Sequence, residues 1–308
     1  MKILVTGGAG FIGHHVVKQL EDAEHEVAIL DHCVHNLEFK DERLAFVKAK
    51  LYKTHIQDNI ARTHINLFQP EVIVHLASAP NARAVNMDPA AATQSMVTGL
   101  ENMLLAAGRN NVKRFVYISS SMVYGNFTDN VRERFNCSPT TLYGTLKLAG
   151  EQMVQLYAER YGFEYVIVRP SAVYGPFDNS DRVIGKFFEA AMAGEDLHVK
   201  GIDERLDFTY VDDIASGIVL ATSQGNDSGI YNMTYGYSQR IKDAADYVVN
   251  ITGSRSRVLV EPKDENMPSR GSLNISKAKD MLGYQPLTPL HKGLESYYEF
   301  LKRRPCTV

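Results

Sequence analysis

The chain has 308 residues, 44% of which are hydrophobic, and its formal net charge at pH 7 is −3. These values predict a globular protein with one large domain and a smaller one. So small a charge provides no basic surface for nucleic acid or for an anionic membrane. The sequence has no apolar run near the roughly 18 residues that span a bilayer, and it opens without the apolar core of a signal peptide. We therefore expect a cytoplasmic location and no membrane partner.

The sequence predicts neither a disulfide framework nor a metal site. The three cysteines, Cys33, Cys137 and Cys306, are odd in number and widely spaced, which fits no disulfide or zinc pattern. The segment around Asp31 also contains histidines, but no second ligand pair follows at a metal-site spacing. A solvated loop is the simpler interpretation of that segment.

Six short apolar runs are predicted to be β-strands, because they are rich in β-branched residues and alternate with amphipathic stretches. In chain order they are KILVT (2–6), EVAILD (26–31), LAFVKA (44–49), EVIVHLA (71–77), RFVYISS (114–120) and EYVIVRP (164–170). Such alternation indicates right-handed βαβ units, and the near-continuous apolar character indicates strands covered on both faces. We predict an α/β fold in which residues 1–175 form a Rossmann-type, doubly wound parallel sheet.

Beyond residue 176 the alternation weakens, and polar, glycine-containing segments separate shorter strand candidates. We predict a smaller α/β substrate-binding domain over residues 176–308. The segment FTYVDDIASGIVLAT, at about 208–222, is expected to return to the first domain.

The stretch TGGAGFIG follows the first strand and leads into a helical pattern, with Gly7, Gly10 and Gly13 at the spacing G-x-x-G-x-x-G. Glycines permit a tight turn and a close backbone approach to a pyrophosphate, which the helix N-terminus also attracts. A glycine turn alone is weak evidence, but Asp31 ends the second strand 18 residues after Gly13. A carboxylate there binds the adenine ribose diol and repels a 2′-phosphate. The pair of features predicts dinucleotide binding with NAD favoured over NADP.

The segment YGTLKLAGE contains Tyr143 and Lys147, which share one face of a helix at positions i and i+4. An ammonium near a phenol, together with a positive nicotinamide, stabilises the phenolate, and a phenolate can act as a general base toward an alcohol. The spacing Y-x-x-x-K arises by chance in many helices. It gains weight here because a strand that ends in three serines precedes it in a predicted dinucleotide-binding fold.

Taken together, these motifs resemble the extended short-chain dehydrogenase/reductase family, in particular its NAD-dependent nucleotide-sugar epimerases and dehydratases. The resemblance runs from Met1 to about Leu301 and includes six further segments: HLASA (75–79), SSSMVYG (119–125), RPSAVYGP (169–176), DFTYVDDIA (207–215), LAGE (148–151) and LNISKAKDMLGYQP (273–286).

The resemblance implies a role for each matched position. Ser120 would hydrogen-bond the reacting sugar oxygen, Tyr143 would transfer its proton, and Lys147 would hold the nicotinamide ribose. Ser119 and Ser121 are expected to satisfy local backbone groups, although Ser121 also adjoins the substrate position. Besides the glycines, Asp31, Tyr143 and Lys147, the resemblance implies cofactor contacts at Phe11, Ile12, Leu76, Ala77, Ser78 and Pro170.

The two residues after Ser120 discriminate between reactions within that family. Its 4,6-dehydratases carry Asp and Glu there, because removal of water from a 4-keto sugar requires a proton acceptor and a proton donor. Ser121 and Met122 provide neither. The sequence therefore predicts an NAD-dependent nucleotide-sugar 4-epimerase. A nucleotide-sugar 4-dehydrogenase or ketoreductase, and a non-catalytic NAD(H)-binding sensor, are the alternatives.

The sequence departs from the family pattern at several positions. Met96 and Ala172 stand where many relatives have Asn, and the second Asn helps to hold the substrate diphosphate. Arg205 and Arg270 are the candidates for diphosphate binding, since a guanidinium suits phosphate oxygens, and Arg182 is a weaker third candidate.

Two predicted helices carry apolar stripes: Met96, Leu100, Met103 and Leu104 on one, and Leu148, Met153 and Leu156 on the other. Such stripes can be ordinary core. Relatives pair the corresponding helices between subunits, so the resemblance predicts a homodimer.

Overall fold

Seven parallel strands form the main sheet of this computed structural model, which describes residues 1–33, 40–225 and 228–303. In spatial order these strands are β3 (Lys50–Lys53), β2 (Glu26–Asp31), β1 (Lys2–Thr6), β4 (Val72–His75), β5 (Arg114–Ile118), β6 (Glu164–Arg169) and β11 (Gly229–Asn232). Every neighbouring pair is parallel. This is the doubly wound arrangement that the alternation of strands and helices predicts, and the predicted fold class is confirmed.

Helices connect and flank these strands. They are α1 (Phe11–Asp22), α2 (Lys40–Ala45), α3 (Asn59–Phe68), α4 (Ala82–Met87), α5 (Pro89–Thr93), α6 (Leu100–Arg109), α7 (Leu142–Tyr161), α8 (Val183–Ala193), α9 (Val211–Ser223), α10 (Ile241–Thr252), α11 (Ser276–Leu282) and α12 (Leu290–Lys302). A π-helical segment, Gln94–Gly99, joins α5 to α6, and a short 3₁₀ helix, Ser121–Tyr124, follows β5.

The prediction of the third strand is wrong. Residues 44–49 were expected to be extended, but α2 continues to Ala45 and the strand begins only at Lys50. β3 lies at the edge of the sheet and pairs with β2 alone. Its ends are exposed and its centre is half-buried, so it lacks the continuous apolar run by which a central strand is found.

Side chains of each central strand point alternately to two cores, one on either face of the sheet. Ile3 and Val5 of β1 pack in the same core as α1 and α9, whereas Leu4 packs in the core of α3 and α6. The same alternation separates Val116 from Phe115 in β5. Both faces of the main sheet are therefore covered by helices and shielded from water, as the apolar strands predict.

The second half of the chain contributes both to the main sheet with its flanking helices and to a separate group of short strands and helices. α9 packs against α1, and β11 extends the main sheet beside β6. The remaining short strands are β7 (Val173–Tyr174), β8 (Leu197–Lys200), β9 (Arg205–Leu206), β10 (Thr209–Tyr210), β12 (Gln239–Arg240) and β13 (Val258–Glu261), and these pair as β7 with β10, β9 with β12 and β8 with β13. A third core lies among α8, α10 and α12. The division into domains of residues 1–175 and 176–308 stays a prediction.

The apolar stripe of residues 96–104 is internal core rather than an outer face. Met96 is 3% exposed, and Leu100, Met103 and Leu104 are fully buried. On α7, Leu156 is 62% exposed. In the described part of the chain, no helix is long and apolar enough to cross a membrane.

Candidate active site

The predicted site residues follow the carboxyl ends of four adjacent strands. Residues 7–13 follow β1, residues 76–78 follow β4, residues 119–121 follow β5 and Pro170 follows β6. The strand order reverses between β1 and β4, because β2 lies on the far side of β1. Ligands of open α/β sheets bind outside the strand ends at such a reversal.

In the glycine loop, residues 7–13, two glycines stand where no side chain would fit. Gly7 has φ +73°, and a Cβ there would lie 2.7 Å from the backbone nitrogen of Ala77. A Cβ at Gly13 would collide with the carbonyl oxygen of Gly7, to which Gly10 N–H donates a hydrogen bond of 3.0 Å. The loop therefore brings its backbone close to β4 and to the start of α1, as a pyrophosphate site requires.

The carboxylate of Asp31 lies beside this loop. Its Oδ2 accepts a hydrogen bond from Ala9 N–H at 3.1 Å, and its Oδ1 accepts one from Cys33 N–H at 2.7 Å. The side chain thus fixes the end of β2 against the glycine loop and places a negative charge there. Leu76, Ala77 and Ser78 are half-buried on the other side, after β4. Phe11 is buried and Ile12 half-buried in the first turn of α1.

Ser120 and Tyr143 are brought together by the turn after β5 and the first turn of α7. The two hydroxyl groups are close enough for Ser120 to act on the pKa of the Tyr143 phenol, and Ser120 Oγ accepts a hydrogen bond from Met122 N–H at 3.1 Å. Ser120 is 8% exposed. Two hydroxyl groups thus converge at one point, as removal of a proton from an alcohol requires.

The pKa of Tyr143 is raised in this structure, whereas the predicted lowering requires both Lys147 and a positive nicotinamide. Burial raises the pKa of the phenol above its usual value of 10, while the charge of Arg182 and the neighbouring Ser120 hydroxyl act in the opposite direction. Burial prevails because the phenolate loses its hydration. The phenol is therefore protonated at neutral pH in this structure.

Lys147 lies one helical turn beyond Tyr143, with Nζ 5.8 Å from the centre of the phenol ring. The ammonium is 4% exposed and donates a hydrogen bond of 2.7 Å to the carbonyl oxygen of Ile118. Burial lowers the pKa of Lys147 to about 7, against the opposing effect of the Glu151 charge. The predicted trio of Ser120, Tyr143 and Lys147 therefore lies together in the fold.

A cleft of about 1320 Å³ opens beside Ser120 and Tyr143. Ser121 and Met122 line it, as does Pro170, whose carbonyl oxygen accepts a hydrogen bond from Ser121 N–H at 2.8 Å. Ser121 is 1% exposed, and its Oγ has no hydrogen-bond partner among the described residues. Neither Ser121 nor Met122 carries the carboxyl group that a dehydratase would have at its position.

Arg205 and Arg270 line the same cleft. Arg205 is held by Ser238, to which its Nε and Nη2 donate at 3.1 and 3.0 Å. Arg270 is half-buried, and its Nε has no hydrogen-bond partner among the described residues. Burial lowers the pKa of Arg270 to about 10, partly offset by the charge of Glu204, so the Arg270 guanidinium is positively charged at neutral pH.

Arg182 lies at the Tyr143 end of the cleft, a position that the sequence alone does not indicate. Its Nη2 donates to the carbonyl oxygen of Pro80 at 3.2 Å, and its guanidinium lies 5.7 Å from the ring centre of Phe11. It also forms an ion pair of 3.2 Å with Asp178. Burial raises the pKa of Asp178 to about 7, although the Arg182 charge opposes the shift.

The comparisons with known proteins agree with this geometry. The sequence model of the NAD dependent epimerase/dehydratase family matches residues 3–234, more than half of the chain. The chain belongs to this family. An uncharacterised UDP-glucose epimerase of Bacillus subtilis is 30% identical over 312 residues, which cover 98% of both proteins.

Two solved structures share the fold of this family member over nearly its whole length. UDP-glucose 4-epimerase of Thermotoga maritima, solved with UDP-glucose, superposes with a TM-score of 0.91 and 28% identity, over 98% of this chain and 99% of the other. UDP-glucuronic acid 4-epimerase of Bacillus cereus, solved with UDP-glucuronic acid and NAD, gives 0.92 and 27% over the same shares.

NAD is the cofactor of the family, and the glycine loop fits it. The space that a Cβ would fill at Gly7 and Gly13 is left for backbone contacts, and Asp31 supplies an acceptor for ribose hydroxyl groups. The sequence analysis also considered a metal site. Within residues 1–33, 40–225 and 228–303, no three His, Cys, Asp or Glu side chains are grouped so that they could hold a metal ion.

Proposed function

We propose that this family member is an NAD-dependent nucleotide-sugar 4-epimerase. The observation that carries the proposal is the proximity of the Ser120 and Tyr143 hydroxyl groups at the cleft, with Lys147 one turn away and two residues without carboxyl groups, Ser121 and Met122, beside them. This set can move one proton at a sugar hydroxyl. It lacks the acid and base that dehydration requires at those positions.

Each side chain has a defined part in this mechanism. When bound, NAD would be held by the glycine loop and Asp31 and would supply reversible hydride transfer at C4 of the sugar. Tyr143 takes the proton of the C4 hydroxyl and later gives it back. Ser120 donates a hydrogen bond to the reacting oxygen, and Lys147 holds the nicotinamide ribose and stabilises the phenolate by its charge.

The proposed diphosphate ligands are Arg205 and Arg270. Both are charged and line the cleft, and Arg270 has an uncommitted Nε among the described residues. A guanidinium binds phosphate oxygens in a bidentate manner. Because two solved relatives contain UDP-sugars, UDP-sugars are the first candidates for the substrate.

The test is a screen of UDP-, GDP-, CDP- and dTDP-sugars with the NAD-loaded protein, followed by proton NMR at C4. We expect one sugar to be converted into its C4 epimer without accumulation of NADH. Steady growth of the reduced-nicotinamide absorbance would instead favour the 4-dehydrogenase or ketoreductase. A 4-keto-6-deoxy product would contradict the proposal, and binding of NAD with no turnover of any sugar would favour a sensor.

The proposed assembly is a homodimer, and its test is independent of activity. Leu156 on α7 is exposed and provides an apolar side chain that a partner helix can cover. The apolar residues of α6 are buried within the chain and provide no such surface. Light scattering at micromolar concentration should give about twice the monomer mass of 34.4 kDa. A monomeric mass would contradict this assignment.

A further inference from the structure

Glu151 is a buried carboxylate that joins three of the elements around the site. It is 1% exposed and lies on α7. Its Oε1 accepts hydrogen bonds from the Ser119 hydroxyl at 2.5 Å and from Arg169 Nε at 2.8 Å, and its Oε2 accepts one from Arg169 Nη2 at 2.6 Å. Ser119 follows β5 and Arg169 ends β6, so one carboxylate ties α7 to the ends of two strands.

The residues that Glu151 binds adjoin the proposed catalytic groups. Ser119 immediately precedes Ser120, and it was expected to satisfy local backbone groups, whereas its hydroxyl binds Glu151 instead. On α7, Tyr143, Lys147 and Glu151 are spaced by four residues and therefore share one face of the helix. The carboxylate thus fixes Ser120 and the helical pair relative to each other.

Arg169 holds the carboxylate in place from the opposite side. It is 2% exposed, and its Nη1 donates to the Tyr124 hydroxyl at 2.8 Å and to the carbonyl oxygen of Glu133 at 3.1 Å. Both guanidinium edges are therefore occupied. A buried ion pair of this kind is poor evidence of added stability, because desolvation offsets its attraction. The Glu151–Arg169 ion pair is better explained by the fixed positions that it gives to the groups around it.

Glu151 also acts on the charge of Lys147. Burial disfavours the ammonium and lowers the pKa of Lys147 to about 7, and the Glu151 carboxylate raises it. The other titratable groups that face this pair are a histidine, three tyrosines and a thiol: His75, Tyr117, Tyr124, Tyr143 and Cys137. All of these are neutral at pH 7, since burial lowers the pKa of His75 to about 3 and raises the pKa of the others. Three charged side chains also act on these groups: Arg169 pairs with Glu151, Arg182 acts on Tyr143 and Glu133 acts on Tyr124.

We propose that Glu151 is a positioning residue for the reaction, which holds Ser120 in register with Tyr143 and Lys147 and places a negative charge on the face of α7 that carries the lysine. This inference rests on the proposed epimerase function for its effect on turnover. Its electrostatic part does not, because the charge of Lys147 can be measured without a substrate.

The test compares the wild-type chain with Glu151→Gln and with Glu159→Gln, a matched control at an exposed position of the same helix. Each protein is labelled with ¹³Cε-lysine and titrated by NMR without cofactor, and the Lys147 signal is identified by its loss in Lys147→Met. The wild-type midpoint is expected near pH 7. Glu151→Gln should lower it by about one pH unit or more, and Glu159→Gln should leave it unchanged.

A second variant tests the register without a change of charge. Ser119→Ala removes one hydrogen bond to Glu151 but keeps its ion pair with Arg169, so the chain should fold even if Glu151→Gln does not. With the best nucleotide sugar, kcat should fall about tenfold or more while KM and the Lys147 midpoint stay constant, because misplacement of reacting groups slows the chemical step.

Two results would overturn the proposal. One is a Glu151→Gln protein that is folded and less stable but has the wild-type Lys147 midpoint, which is the behaviour of a merely structural ion pair. The other is an unchanged kcat in Ser119→Ala. Absence of turnover in the wild-type chain with every sugar would count against the epimerase function instead, and the NMR midpoints would still decide the role of Glu151.

Discussion

The Lys147 ammonium is hydrogen-bonded to the carbonyl oxygen of Ile118, the last residue of β5, at 2.7 Å. Strand β5 leads directly into Ser120, so the lysine of α7 is attached to the element that carries the proposed catalytic serine. This bond satisfies one of the three ammonium donors. Within the described residues the ammonium makes no other hydrogen bond, so its other two donors can serve the hydroxyl groups of a ribose.

This arrangement predicts that Lys147→Met weakens the binding of NAD. The substitution removes the ribose contact and leaves the Ile118 carbonyl without this donor. We expect an affinity at least about tenfold lower by calorimetry on cofactor-stripped protein, since a hydrogen bond to a charged group contributes about 1.5–3 kcal/mol. Lys113→Met is the matched control, because that side chain is 74% exposed. Equal loss in both variants would contradict a direct role for Lys147.

Sequence patterns predict the central part of this fold well and its edge poorly. Strands β1 and β2 lie where their apolar runs begin and end, because strands covered on both faces consist almost wholly of β-branched and apolar residues. The predicted position of the edge strand β3 is wrong because this strand is partly solvated and therefore lacks a continuous apolar run. The pairing of β11 with β6 was not predicted either, since its register depends on contacts between distant segments.

The Ala172 backbone predicts a stabilising substitution. Its φ is +38°, a conformation that brings Cβ close to the following carbonyl oxygen and costs an L-residue about 1–2 kcal/mol. Ala172→Gly removes this strain, although the unfolded chain gains entropy. We expect the free energy of unfolding to rise by about 0.5–1 kcal/mol in urea denaturation.

The control for that prediction is the same substitution in a helix. Ala190 lies within α8, where replacement by glycine should lower the free energy of unfolding by about 1 kcal/mol. Opposite signs for the two variants would establish that position 172 favours glycine. Destabilisation at both positions would contradict the account of strain.

Asp31 predicts selectivity between the two nicotinamide cofactors. Its carboxylate lies against the glycine loop and should repel a 2′-phosphate. We expect the wild-type chain to bind NAD at least about tenfold more tightly than NADP, and Asp31→Asn to reduce this ratio, by calorimetry with both cofactors. Asp22→Asn, at the end of α1, should leave the ratio unchanged. Tighter binding of NADP by the wild-type chain would refute the assignment.

The candidate site was easier to predict where it depends on local spacing than where it depends on the path of the chain. Tyr143 and Lys147 are four residues apart on one helix, and that spacing alone places them together. Arg182 lies beside Tyr143 only because the start of α8 returns across the cleft toward Pro80. Glu151 could have been noticed as the acid four residues after Lys147 on α7. Its partner Arg169 could not, because it lies at the end of strand β6.

The last prediction concerns the proposed base. Tyr143→Phe keeps the ring and its packing but removes the hydroxyl that takes the C4 proton. Turnover of the best nucleotide sugar should fall by at least the roughly 10²–10⁴-fold typical of a lost general acid–base group, while NAD binding and thermal stability persist. Ser120→Ala should cost less, because it removes one hydrogen bond to the reacting oxygen and leaves the base in place.

Tyr157→Phe provides the matched control on the same helix. Its hydroxyl donates to Glu101 at 2.9 Å on an exposed surface, so its removal should leave the rate unchanged. A structural tyrosine at position 143 would behave differently from a base, with lower thermal stability and little loss of rate in the folded fraction. If Tyr143→Phe epimerises the substrate at a rate near that of Tyr157→Phe, Tyr143 is not the base and the proposed mechanism is wrong.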